Sequence, residues 1–458
     1  MTAVHDPPLP TDRPDVHRPD VHTPDPDMPD ADQPDVDEPG FPRIDLALVQ
    51  LVIEHAARAT EPSGCTEAEL IDQIQQIESL QHSVAALQSS RIRAFAREHV
   101  GNGIAAGRTD PERLERGAVA QVALACHTSP AEARSRIRAA RDLRAGLDHV
   151  REVFTSGGLS ATKVAAVVAA CSDLDPAERA RVDARLAHHD LTRLGIGRLR
   201  DLVRRLAAEI APEKFRARVE AARAERRVTL RPAPDAMVYL TGYLPVEQGA
   251  ACLAALQKAF VQASVDPAPL TRSRGQVLAD TVVERLTGRA TATDVDIDVQ
   301  VVVPVEALLD PGSPLPAEVP GHGPVPVELL ATSTGRKTVR RLLTRAGTVI
   351  GGDSRSRSFT GLLGLLVRAR GGNRCTEPYC DAPIRHVDHI RRVADGGRTT
   401  LDNGRGTCEF HNHVREQPGW QVQRTPDGVR TTTPTGHTYL APGRAAAVTR
   451  SGRACPAR

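Results

Sequence analysis

The chain has 458 residues, about three times the common size of one domain, so two or three folded units are expected. Apolar residues make up 40% and aromatics only 3%, so the core must rest on Leu, Val, Ile and Ala, which suits packed helices. Lys and Arg number 59 against 57 Asp and Glu, a net charge of +2 that, taken whole, argues against a nucleic-acid partner. No apolar run is long enough to span a bilayer. The N-terminus MTAVHDPPLP lacks the basic and apolar regions of a secretory signal, and a cytoplasmic protein is expected.

Residues 1–42 are rich in Pro and Asp, with RPDVH at 13–17 and again at 18–22. They have almost nothing to bury and should form a disordered, partly extended tail. The tail is acidic. It reads as a solubilising segment or, more sharply, as a decoy competing with DNA for a basic site elsewhere.

Residues 43–225 read as a helical domain. Thr66 and Glu69 form a capping box. Leu70, Ile74, Ile77, Leu80, Val84 and Leu87 then recur every three or four residues, the stripe of a long amphipathic helix and a candidate homodimer face. Ser129, Pro130 and Glu132 open a further helix whose sequence AEARSRIRAARDLRAGL carries many arginines. With the Ala-rich segment before it, this suggests either a helix-turn-helix or, more simply, an ordinary helical hairpin. Another helix is expected from Ser160.

Residues 226–309 form a small mixed α/β unit. RVTLRP and AMVYLTGYLP alternate as strands, helices are expected at 246–263 and 274–287, and VDIDVQVVVP reads as another strand. A Pro/Gly-rich linker covers 310–330. The basic segment 331–373 leads into Arg374, with Arg336, Lys337, Arg340, Arg341, Arg345, Arg355, Arg357, Arg368 and Arg370 opposed only by Asp353. A phosphate backbone is the obvious partner for such a stretch.

The most informative segment is 374–442. Among the eight cysteines, Cys65, Cys126, Cys171 and Cys252 stand singly and Cys455 lies near the end. Cys375 and Cys380, then Cys408 and His411, come in pairs that suit a knuckle and the first turn of a helix. Three thiolates and an imidazole make a closed structural zinc site whose binding energy would fold a polar segment with little core of its own. His413 is the alternative fourth ligand. Between the pairs lie His386, Asp388 and His389 in the strand-like RHVDHI, then Gly396-Gly397, Asn403 and, beside His411, Asn412.

This order of strand, loop and short helix resembles the HNH endonuclease motif, a ββα-metal fold. The segments AEARSRIRAARDL, GGLSATKVA, NHVREQPGW and TPTGHTY are similar to actinobacterial repeat-element HNH proteins, whose N-terminal region is catalogued as a domain of unknown function. The likeness covers most of residues 45–442.

The resemblance implies that His389 is the general base that activates water, a role its ordinary near-neutral pKa suits. Asp388 matches the acidic metal ligand and Asn403 the middle Asn that holds the loop and orients the imidazole. Asn412 takes the third position, making an HNN variant, and His411 stands where relatives usually carry Cys. Asp388 and Asn412 would hold Mg²⁺ or Mn²⁺. Strand alternation would pair His386 with Asp388 and makes His386 the second candidate base.

The expected fold is mainly α with a small mixed α/β unit and a C-terminal zinc-bracketed ββα-metal module, followed by a disordered tail at 443–458. The expected activity is metal-dependent hydrolysis of DNA phosphodiester bonds, with Arg368, Arg370, Arg374, Arg391 and Arg392 gripping the backbone. The alternatives are a DNA-binding or regulatory protein with an inactive module, and a helical interaction protein.

Overall fold

Local signals set most helix starts. In the computed structural model, residues 44–58, 64–265, 271–289, 291, 297–304, 316–319, 323–326, 337–345, 348–349 and 358–442 are described. Both expected tails, Cys455, Arg336, Arg355, Arg357 and most of the linker lie outside them. The chain divides into a unit of Met1–Ile71 and a unit of Asp72–Arg458. The first contains α1 (Leu46–Arg58), which buries no residue.

Helix α2 (Glu67–Ala105) opens on the expected box: the Thr66 N–H donates to Glu69 at 2.8 Å and the Glu69 N–H donates to Thr66 Oγ1 at 3.3 Å. Its stripe from Ile74 to Leu87 faces solvent, while Ala86 joins the core. The following helices are α3 (Pro111–Ala125), α4 (Pro130–Arg144), α5 (Asp148–Thr155), α6 (Ala161–Ala170), α7 (Pro176–Leu186), α8 (Ile196–Ile210) and α9 (Pro212–Ala224). Ser129 and Ser160 cap α4 and α6 as read from the sequence, each accepting an N–H three residues on.

The main core lies among α4 to α8, built from Leu143, Leu147, Val150, Phe154, Val167, Val182, Leu199 and Val203. Phe154 is its one buried aromatic, as the scarcity of aromatics requires. Cys171 is sealed inside this core, and burial pushes its thiol up to about 12, so it is inert packing. Helix α3 is buried continuously from Gly117 to Leu124. A helix covered on both faces needs a second partner beyond its hairpin mate.

Strands β1 (Arg227–Pro232) and β2 (Val238–Tyr243) pair antiparallel, followed by α10 (Val246–Val265) and α11 (Arg274–Thr287). Strands β3 (Ile297–Pro304), β4 (Ala317–Val319), β5 (Gly323–Val325), β6 (Lys337–Arg345) and β7 (Thr348–Val349) form one sheet in the order β5-β4-β3-β6-β7. Thus β4 and β5 come from the stretch read as linker, and β6 and β7 from the basic segment. The β3–β6 pair is parallel and joins Ile297 to Lys337 across forty positions, a register that local patterning does not reveal.

The C-terminal module starts with α12 (Gly361–Arg370). An antiparallel pair, β8 (His386–His389) and β9 (Gly404–Thr407), leads directly into α13 (Glu409–Arg415). Strands β10 (Gln421–Thr425), β11 (Gly428–Thr432) and β12 (Thr438–Pro442) close it as a meander. Its apolar clusters are small: Leu363, Leu366, Val367, Ala369 and Leu401 with Phe359 and Val387 form one of them. Among the described residues, no helix is long and apolar enough to cross a membrane.

Candidate metal centre

Cys375 and Cys380 lie on a tight knuckle where the Cys375 N–H donates to Ala382 O at 2.8 Å and the Cys380 N–H to Glu377 O at 3.2 Å. Cys408 is the N-cap of α13, and its side chain caps nothing, which leaves its sulfur free to face the knuckle. His411 follows one turn later on the same face. The ligand atoms of all four residues lie within 4.8 Å of one another, and all four are buried. Cys375 Sγ is 3.5 Å and Cys408 Sγ 3.4 Å from His411 Nδ1, and Cys380 Sγ is 3.9 Å from Cys408 Sγ. Zinc held at about 2.3 Å by sulfur and about 2.0 Å by nitrogen separates tetrahedral neighbours by roughly 3.5–3.8 Å. The set fits such an ion and could hold it. His411, not His413, completes the set; His413 is exposed, 4.0 Å from Glu409.

Hydrogen bonds shared with Cys375 and Cys380 drive Cys408 far down, while sharing with Cys380 and Cys408 pushes Cys375 far up. Burial opposes a charge on His411, yet hydrogen bonds with Cys380 and Cys408 and the nearby Glu377 push its pKa up to about 10. Glu377 is itself buried and ion-paired to Arg405 at 3.0 Å. Among the described residues no cysteine forms a disulfide.

The residues between the two pairs sit on β8, β9 and the loop joining them. Asn403 staples that loop: Nδ2 donates to Arg391 O at 3.0 Å and Arg398 O at 2.8 Å, and Oδ1 accepts from the Arg391 N–H at 2.8 Å. Gly397 is required there, since a Cβ would stand 1.9 Å from Arg391 O. Asn403 thus holds the loop, and none of its side-chain bonds reaches the His389 ring.

His389, the last residue of β8, is only 8% exposed. Its Nε2 and Thr399 Oγ1 share a hydrogen bond of 2.9 Å, and its ring tilts against Phe359 at 4.6 Å. Burial holds its pKa below the ordinary histidine value, against the pull of Asp388 and with the Arg415 charge, so the imidazole is neutral at pH 7. Asp388 turns to another element: Oδ2 accepts from Arg415 on α13, and Oδ1 accepts the His389 N–H at 2.7 Å. The neighbours therefore contact different partners, as strand alternation demands. His386 is exposed. Asn412 is half-buried, its N–H donating to Cys408 O at 3.0 Å, and its side-chain amide makes no hydrogen bond among the described residues.

Arg415 was not singled out in the sequence, although its place one turn after Asn412 puts both on one helix face. Like Asn403, it makes three side-chain hydrogen bonds. Nη1 donates to Asp388 and to His389 O, and Nη2 to Ile390 O at 2.7 Å. Thr399, the partner of His389, was also missed.

The five arginines expected on DNA divide into two groups. Arg368 donates to Ile384 O and Arg385 O, and Arg370 to Leu401 O and Gly404 O, so both engage the module's own backbone. Arg374, Arg391 and Arg392 are exposed, with Arg374 3.3 Å from Asp381, Arg391 Nε donating to Asp395 O and Arg392 3.2 Å from Glu416. Two exposed arginines outside that group, Arg385 and Arg398, have no side-chain partner among the described residues.

The fold and the cluster together define a mainly helical protein whose C-terminal module carries a buried Cys₃His cluster that could hold a metal ion. The chain belongs to the family described as a domain of unknown function, DUF222, which matches residues 78–313, just over half of its length. That match ends before the metal centre. No curated protein matches the chain, and no solved structure does.

Proposed function

We propose that the C-terminal module is an HNH-type endonuclease that hydrolyses DNA phosphodiester bonds, with structural zinc at Cys375, Cys380, Cys408 and His411. The observation that supports this best is the order β8–β9–α13, which sets a neutral imidazole (His389), a carboxylate (Asp388) and a free amide (Asn412) on elements joined by the Cys₃His cluster. His389 accepts the proton of the attacking water, with Thr399 and Phe359 fixing its ring. Asn403 keeps the loop that carries Thr399 in place.

Asp388 and Asn412 supply oxygen ligands that suit Mg²⁺ or Mn²⁺, and the carboxylate keeps lone pairs beyond the two hydrogen bonds it accepts. Such an ion, when bound, would polarise the phosphodiester and stabilise the leaving oxygen. Arg374, Arg391 and Arg392 would contact the phosphate backbone, while Arg368 and Arg370 hold the module's shape.

The test is cleavage of plasmid DNA by the full chain with Mg²⁺ or Mn²⁺, with EDTA, and with His389→Ala. Loss of cutting in both controls is expected; undiminished cutting by His389→Ala would remove that residue from the mechanism. The ion pair between Arg415 and Asp388 favours a second reading, in which the guanidinium occupies the carboxylate and the module only grips DNA. The same experiment then gives salt-sensitive binding with no metal-dependent cutting.

A further inference from the structure

Both halves of the metal cage also touch the helical domain. Phe410, between Cys408 and His411, packs against the cluster that Ile92 of α2, Val119, Val122 and Ala123 of α3 and Ala133 of α4 form, and also against the cluster of the three cage cysteines. Tyr379, next to Cys380 on the knuckle, stacks on His127 in the α3–α4 turn, with ring centroids 4.5 Å apart. Both stacked residues hold left-handed backbone, φ 62° and 54°, a conformation that non-glycine residues keep only where their surroundings enforce it.

Polar contacts seal the rim. Gln417 Nε2 donates to Arg113 O at 2.8 Å, Arg113 Nη2 to Glu416 O at 2.6 Å, and Thr435 Oγ1 to the buried Gln121 Oε1 at 2.9 Å. At Gly117 of α3 a Cβ would meet Gln417 Oε1 at 2.6 Å and His99 Nε2 at 3.0 Å, so the module lies close against this face and a large side chain there would push it away. This contact covers the second face of α3.

We infer that α2, α3 and α4 form a dock for the chain's own C-terminal module, and that the dock accepts the module only when the Cys₃His cluster holds its metal. The metal ties the knuckle that carries Tyr379 to the helix that carries Phe410. Without that tie the two rings have no fixed spacing and cannot enter the dock together. This assigns an intramolecular binding role to part of the DUF222 region, and it does not rest on the hydrolytic reading. Coupling between two binding events is reciprocal, so weakening the dock must weaken zinc binding by the same factor.

The test uses the full chain loaded with one equivalent of Zn²⁺ and then stripped with a chelator, read by amide hydrogen exchange. Stripping should speed exchange in α3 at least tenfold, together with α13, while α6 and α8 keep their protection. Zinc affinity by chelator competition should fall at least tenfold in Gly117→Trp. It should fall roughly two- to tenfold in His127→Gly, which tolerates the left-handed turn and removes one ring stack. Neither substitution touches a metal ligand. A chain that takes up no zinc, α3 exchange that ignores zinc, or opening of α6 and α8 alongside α3 each overturns the proposal. Native zinc affinity in a Gly117→Trp chain whose α3 exchanges fast does so too.

Discussion

Replacing Arg415 with Ala should uncouple α13 from β8. The guanidinium is 6% exposed and its partner Asp388 carboxylate 29%, so the pair is buried at one end and partly wet at the other. Removing one member of a buried ion pair costs about 3–5 kcal/mol, because the other charge is left without compensation. Here His389 O and Ile390 O lose their donor as well. Partial exposure of Asp388 returns some solvation, so the lower end, about 3 kcal/mol, is expected.

The chain supplies its own reporter. Its one tryptophan, Trp420, lies just after α13 and is half-buried, so tryptophan fluorescence, excited selectively, follows this module alone. With a urea slope of about 2 kcal/mol/M, the midpoint of the zinc-loaded chain should drop by about 1.5 M. Arg415→Lys keeps the charge but not the planar fork that reaches two carbonyls and a carboxylate, and it should recover less than half of the loss. A midpoint for Arg415→Ala within about 0.3 M of native, or full recovery by lysine, would refute the clamp.

Two further outcomes are expected. Burial holds the His389 pKa in the folded chain below its unfolded value near 6.5, so just below that pH the unfolded state binds the extra proton. The urea midpoint should therefore rise with pH through this window and fall as pH drops through it, and His389→Gln should flatten that part of the profile; an unchanged profile would show that another group causes it. For DNA, Arg385→Ala and Arg398→Ala should each reduce the slope of log affinity against log salt by about 0.9, measured by fluorescence anisotropy, and native slopes in both would remove these residues from the interface.

The parts of this structure that were legible in sequence are those decided locally. Ser129 with Pro130, Ser160, and the capping box of Thr66 with Glu69 place helix starts, because each cap is satisfied within three residues. The metal set was legible because its two pairs are each close in sequence and only their meeting is long-range. The sheet β5-β4-β3-β6-β7 was not, since two of its strands are three residues long and its parallel pair spans forty positions. The buried face of α3 was legible as Ala-rich, but its cover comes from Phe410 and Gln417, about three hundred residues later. No spacing rule links them.

The arginines show why composition alone misreads this module. Between 358 and 442 there is little apolar mass, and long loops expose carbonyls that need donors. A guanidinium offers five donors in one plane, so a single side chain can satisfy two or three oxygens at once. Arg368 and Arg370 each hold two carbonyls, Arg424 holds Asp402 through its backbone and side chain, and Arg405 is buried against Glu377. In a polar fold with small apolar clusters these residues replace part of a hydrophobic core. Basic charge in the sequence is therefore the sum of two populations, one committed to the fold and one open to solvent. Only the second, Arg385 and Arg398 above all, can release counterions from a phosphate backbone. Lysine would keep the free charge at Arg385 and Arg398 and would fail at Arg415, where the fork itself is the structural element.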